Sequence, residues 1–321
     1  MPRQMGARSQ LLVKKESSYG VAPSGNWQKM PVRSYDVVIA NDIVPDPAIG
    51  FGHRESIDPS QGPVDLKGPL VVPVDVRNIG FWLSMLLGTE SVSGTGPYVH
   101  VFKPEETTNL NSFSAELGHV DTGKYFVHSG LMINKGTFNF AGSGLASLSM
   151  DAIGQSQTKA TSSGGGTPTA PVYTPFSQLQ GAIFEDSAGS TNPANAIANI
   201  TAATLAIDNQ MNAEIGVGSA GKILGGDAGQ LVINGEFTLR FADTTMYDLA
   251  VAKTFISASW GWTIDSNNSL LIACPRLVLG NFTPPLSGPG GVMAKVPFHV
   301  SRDSGAATSL IATLTNDVTS Y

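Results

Sequence analysis

A chain of 321 residues is long enough for one large β domain or two smaller ones. Only 14% of residues are charged, against roughly 25% in an average soluble domain, so the surface is read as one covered by protein partners. The net charge of −6 disfavours a role in gripping nucleic acid, and a single cysteine, Cys274, excludes an intramolecular disulfide or a multi-cysteine zinc site.

The first 35 residues carry Arg3, Arg8, Lys14, Lys15, Lys29 and Arg33 against Glu16, a balance of +5, so the remainder of the chain carries −11. No apolar h-region follows Met1, and no run of about 18 apolar residues exists, so neither a secretory signal nor membrane insertion is expected, and folding in a host cytoplasm is. Residues 1–67 are rich in proline, with no sustained amphipathic period. They read as an extended arm on a neighbouring surface, with Arg3, Arg8, Lys14, Lys15 and Trp27 as its contacts.

Leu70, Val72, Val74 and Val76 alternate as a strand, and Pro73 predicts an edge or a bulge. Ile79, Trp82, Leu83, Leu86 and Leu87 then form an apolar helical stripe, with Asn78 as N-cap and Gly88 as stop. Alternation around Phe113–Leu117, Phe138–Phe140 and Ala146–Met150 predicts sheets with one packed and one polar face. Residues 155–195 open with a Gly/Ser/Thr/Pro-rich run and read as a loop or linker. Strands resume at Leu205–Ile207 and Phe237–Phe241. Asp243 caps a short helix carrying Met246, Leu249 and Ala250, and further strands follow at 255–263, 270–274 and 296–300.

Glycine, strand, aspartate and helix follow in that order from Gly68 and again from Gly235. The expected layout is an arm over 1–67, a β domain over 68–154, a linker over 155–195, a second related β domain over 196–304, and a C-terminal segment over 305–321.

No catalytic constellation emerges. His53, His100, His119, His128 and His299 lack the i, i+4 spacing of a zinc site, although His119 and His128 flank a predicted hairpin. Residues 216–222 match the P-loop spacing up to Lys222, but Ile223 stands where a Ser or Thr is needed. That segment and Gly142-Ser143-Gly144 read as hairpin turns. Glu185-Asp186 beside Ser187 reads as a solvated turn, and Trp260 and Trp262 share one strand face. No cofactor and no enzymatic activity are expected.

The opening Gly6–Pro23 with Trp27 and Met30-Pro31, the run Gly68–Gly88, and the ending Leu277–Leu279, Gly290–Val292 and Val296–Asp303 together resemble the major tail tube proteins of long-tailed, siphovirus-type bacteriophages. That resemblance implies a mainly-β, sandwich-like or barrel-like tube fold whose rings stack into a hollow virion tail through which double-stranded DNA passes unbound. It implies rings of six subunits, or of three if each chain holds two tube domains. Tape measure, terminator and distal tail proteins would be partners. Glu116, Asp121, Asp151, Asp208 and Asp243 are the candidate acids of a DNA-repelling lumen. Another virion or secretion-system ring component, or a carbohydrate-binding adhesive sandwich, is the alternative.

Overall fold

The computed structural model describes residues 3–47, 54–55, 57–88, 90–104, 106, 110–197, 199–286 and 288–321, excepting the side chains of residues 41 and 42. His53 lies outside the described residues. In chain order the elements are β1 (Ser9–Lys15), β2 (Gln28–Met30), β3 (Ser34–Tyr35), β4 (Val38–Val44), β5 (Ser60–Pro73), α1 (Ile79–Leu87), β6 (Glu90–Ser93) and β7 (Tyr98–Phe102). Then come β8 (Phe113–His119), β9 (Lys124–Ala141), β10 (Ser147–Gly154), β11 (Ser156–Ala160), β12 (Gly181–Ser187), β13 (Asn195–Ala196) and β14 (Ile200–Asp208). The chain ends with β15 (Asn212–Ile215), β16 (Ile223–Asp227), β17 (Val232–Arg240), α2 (Thr245–Ala252), β18 (Phe255–Asp265), β19 (Asn268–Leu279), β20 (Met293–Val300) and β21 (Ile311–Asn316).

The molecule is mainly β and antiparallel, and no barrel closes among the described residues. Sheet I runs β4–β5–β10–β9–β14–β17–β20. Sheet II runs β13–β12–β18–β19–β21–β7–β6 and joins sheet I where Leu277–Leu279 pair with β20. Sheet III is β2–β1–β8–β9–β11, so the 18-residue β9 passes from sheet III into sheet I. Gly130 sits at that passage with φ +68°, and a Cβ there would lie 2.7 Å from the Gln155 Cβ. Glycine reaches this left-handed conformation without a steric cost.

Sheets I and II form a sandwich around stacked aromatic rings. Phe140 stacks on Trp262 at 4.6 Å between centroids, and Phe237 on Trp260 at 5.7 Å, with Phe298 4.7 Å from Phe237. Both tryptophans are fully buried. One continuous core takes residues from both halves of the chain, from Leu11 to Leu314.

Several expectations are corrected. Helix α1 is buried on every side, not along one stripe: Trp82 and Phe81 meet Phe113 of sheet III edge-on, and Leu86 lies over Gly136 of sheet I. Asn78 occupies the N-cap position but makes no side-chain capping bond. The buried Asp75 carboxylate accepts the Asn78 N–H at 3.2 Å and its side-chain amide at 2.7 Å, while Gly88, with φ +113°, does end the helix. Pro73 is the last residue of β5, a strand paired on both sides, so it ends the ladder without marking an edge.

Residues 1–67 are not a free arm. Leu11, Leu12 and Val13 are buried in β1, which pairs with β8 over seven residues. Residues 155–178 are likewise held down: β11 extends sheet III, Trp27 and Thr169 exchange backbone hydrogen bonds, and Phe176 is fully buried. Glu185-Asp186 lies within strand β12, not in a turn.

Candidate functional site

The most distinctive features of this surface are its strand edges. Among the described residues, β4 pairs with β5 alone, leaving seven residues of backbone unpaired on the other side. Natural edges are guarded by charge, proline or brevity. Here Val38, Ile43 and Val44 are 61%, 71% and 48% exposed. At the far side of the same sheet, β20 pairs with β17 along its length but with β19 only over 298–300, so residues 293–296 form a second open edge. The other edges are poorer templates. β13 has two residues, β11 exposes Lys159, and β2 is crossed by the 165–169 segment.

Sheet I turns one face into the sandwich and leaves the other open. Cross-strand register aligns Asp151, Lys135 and Asp208 in one row on the open face, and Ser149, Thr137, Ala206 and Asn234 in the next. Directly opposed residues share a face. Glu236 and Lys295 pair there at 2.9 Å. The face is therefore broad, built of small polar side chains, and nearly balanced in charge.

The five candidate lumen acids separate. Asp151 and Asp208 lie on this open face. Asp243 is exposed at the start of α2, its carboxylate accepting the Thr245 N–H at 2.9 Å. Glu116 is fully buried and accepts hydrogen bonds from Ser163 Oγ (2.5 Å) and Gly164 N–H (2.7 Å), so it anchors a loop and faces no open space. Asp121 binds the Arg8 guanidinium at 2.9 Å within its own chain. Alternation alone placed Glu116 on a polar face. The contact that covers it comes from a segment 47 residues away.

The basic N-terminal residues are mostly engaged internally. Arg8 holds Asp121, Lys14 Nζ donates to Ser24 O at 2.8 Å, and the buried Trp27 donates its indole N–H to Pro23 O at 3.0 Å. Arg3 and Lys15 are exposed. Sequence reasoning passed over the centre of this region, Glu16. Its buried carboxylate accepts from Gly20 N–H, Gly130 N–H and the Ser112 and Ser114 hydroxyls at 2.6–2.9 Å.

The histidines do not converge. His128 faces Ala115 in the β8–β9 register and His119 faces Lys124. Among the described residues no group of three or more His, Cys, Asp or Glu side chains has metal-binding geometry. His128 sits between the Tyr35 hydroxyl (2.6 Å from Nδ1) and Gln157 Oε1 (2.8 Å from Nε2), and burial holds its pKa below the usual value. The glycine-rich segments at 142–144 and 216–221 both form hairpin turns. No described helix is long and apolar enough to cross a membrane.

What remains is a subunit with two open edges on one sheet. The family model described as phage tail tube protein matches residues 6–300. The chain belongs to that family. No curated protein matches it. Membership over nearly the whole chain makes it a structural virion component, a subunit of the multi-subunit bacteriophage tail tube that assembles with other tail proteins. The mainly-β sandwich agrees with a tube fold.

Proposed function

We propose that this tail tube subunit forms a ring by adding strand β4 of one copy to the open edge of β20 in the next, and that the rings stack into a conduit for DNA. The observation that carries the reading is the open edge of β4, with Val38, Ile43 and Val44 exposed along it and Asp42 its one charged residue. Backbone pairing at such an edge satisfies a row of N–H and C=O groups in one step.

Width favours three copies per ring. Sheet I has seven strands, so three copies supply twenty-one. At about 4.8 Å per strand and a barrel tilt of about 40°, the ring is roughly 42 Å across between backbones. That leaves room for a duplex about 20 Å wide once side chains are added, whereas six copies would double the bore. The proposed lining is the open face of sheet I, whose acids Asp151 and Asp208 alternate with Lys135 and small polar groups. Such a face offers no basic track to phosphates. Under this reading the two strand–helix units beginning near Gly68 and Gly235 stand for two tube-type domains, and the tape measure, terminator and distal tail proteins meet the ends of the stack.

Negative-stain electron microscopy of the purified protein tests this. The wild type forms annular assemblies, and the double variant Val38→Lys/Ile43→Lys folds but remains monomeric in sedimentation. Rings formed equally well by the double variant would refute closure through β4.

A further inference from the structure

The two ends of sheet I are unlike. Strand β14 enters from one end at Ile200 and leaves at the other at Asp208, a run of about 30 Å. Beyond Asp208 the β15–β16 hairpin lies across the sheet end, its tip held where Val64 N–H donates to Gly221 O at 2.9 Å. The hairpin turns Ile223 inward and leaves Val217, Leu224 and Ile215 109%, 61% and 50% exposed. Its tip, residues 216–222, is built from glycine, serine and alanine around Val217, and its one charge is the exposed Lys222.

At the opposite end, where β14 begins, the two sheets splay. A groove of about 390 Å³ opens between β12 and β14, floored by Phe140, Ile183, Ile197 and Ile200, with Leu179 80% exposed at its rim. A cavity of about 200 Å³ continues from it past Ala196 and Ile197 to Glu185. The Glu185 side chain is half-buried and makes no hydrogen bond or ion pair among the described residues, Arg240 and Asp243 also line this cavity, and burial together with Asp186 raises the Glu185 pKa. A half-buried carboxylate beside a second carboxylate favours a cation. Lys222, likewise, has no ion-pair partner among the described residues.

We infer that the 216–222 tip of one copy seats in the β12–β14 groove of a second copy in the adjoining ring, with Val217 against Leu179 and Lys222 paired with Glu185. The occupant is a second copy because Val217 matches the apolar groove, Lys222 matches Glu185 in charge, and the two sites lie at opposite ends of one strand. A contact between opposite ends is heterologous and repeats without closing, which is the symmetry a stack of rings requires. This rests on the ring reading above and adds the residues that join one ring to the next.

A charge exchange tests it, read by negative-stain microscopy and sedimentation velocity. K222E and E185K should each leave rings intact while weakening ring–ring association at least about tenfold per contact. The double variant K222E/E185K should restore stacks, which also shows that both chains fold. V217D should prevent stacking as well. The inference is overturned if K222E and V217D stack like the wild type, if the exchange fails to rescue stacks that each single reversal abolishes, or if either reversal abolishes the rings themselves. A wild type that forms no rings sinks the ring reading and this inference together, whereas rings that stack regardless of Lys222 sink this inference alone.

Discussion

The Ser114 hydroxyl donates a 2.6 Å hydrogen bond to the Glu16 carboxylate, 98 residues away, in the interior of sheet III. With Ser112, Gly20 and Gly130 it completes four donors around a carboxylate that has no ion-pair partner among the described residues. Replacing Glu16 by Leu strands those donors, each costing about 1–3 kcal/mol where water cannot reach it. Glu16→Leu should lower unfolding free energy by about 3 kcal/mol or more in urea titrations, and Glu16→Gln, which keeps one acceptor, by less. An unchanged midpoint in both would show that the site is solvated.

Gly130 gives a second test. Its φ of +68° and the 2.7 Å approach of Gln155 Cβ leave no place for a methyl group. Gly130→Ala should destabilise by about 1–3 kcal/mol, measured by thermal unfolding. Gly123→Ala, at φ +60° with open space around it, should cost less.

His128 should make the fold acid-sensitive. Folded His128 is neutral, accepting from Tyr35 and donating to Gln157, and its pKa is depressed by burial. The unfolded chain therefore takes up a proton first as pH falls below about 6.5. Stability from this group is full above that pH and is lost below it, by at most about 1.4 kcal/mol per pH unit. Asp75 works the other way: burial raises its pKa to about 6, so falling pH relieves a buried charge. His128→Gln should flatten the loss between pH 7 and 5.5 relative to wild type. Parallel curves for the two proteins would contradict the assignment.

Cys274 is fully buried in β19, and burial pushes its thiol far above the ordinary range. A thiolate-directed reagent should label it only after denaturation. Labelling of the assembled or monomeric native protein at the unfolded rate would mean that β19 opens.

The sequence carried local order well where one rule decided it. Alternation located β14, β17, β18 and part of β20, and apolar spacing with Gly88 located α1. It placed the cap of α2 at Asp243, one residue before the N-cap Thr244, although the Asp243 carboxylate does accept the Thr245 N–H. Elements without an internal period escaped. Strands β1 to β4 lie in a proline-rich stretch, and β21 in a tail that offered no clear signal, yet both regions fill central positions. β1 pairs with β8, and β21 with β7, about 100 and more than 200 residues away, and chain statistics hold no term for that.

Composition and hydrophobic period determined that this is a β-rich, weakly charged chain, because turn residues and alternation act over a few neighbouring positions, while the tail tube reading came from the resemblance of its opening, core and ending to that family. Only the tertiary structure decided which polar groups are covered. Glu116 sits on a face that alternation calls wet, and a loop distant in sequence closes over it, while Gly130 of β9 donates to the buried Glu16. It also decided that Arg8 and Lys14 hold their own chain, and that β4 is a long edge unpaired among the described residues. An edge is defined by the strands that do not come to it, and that is a property of the whole fold.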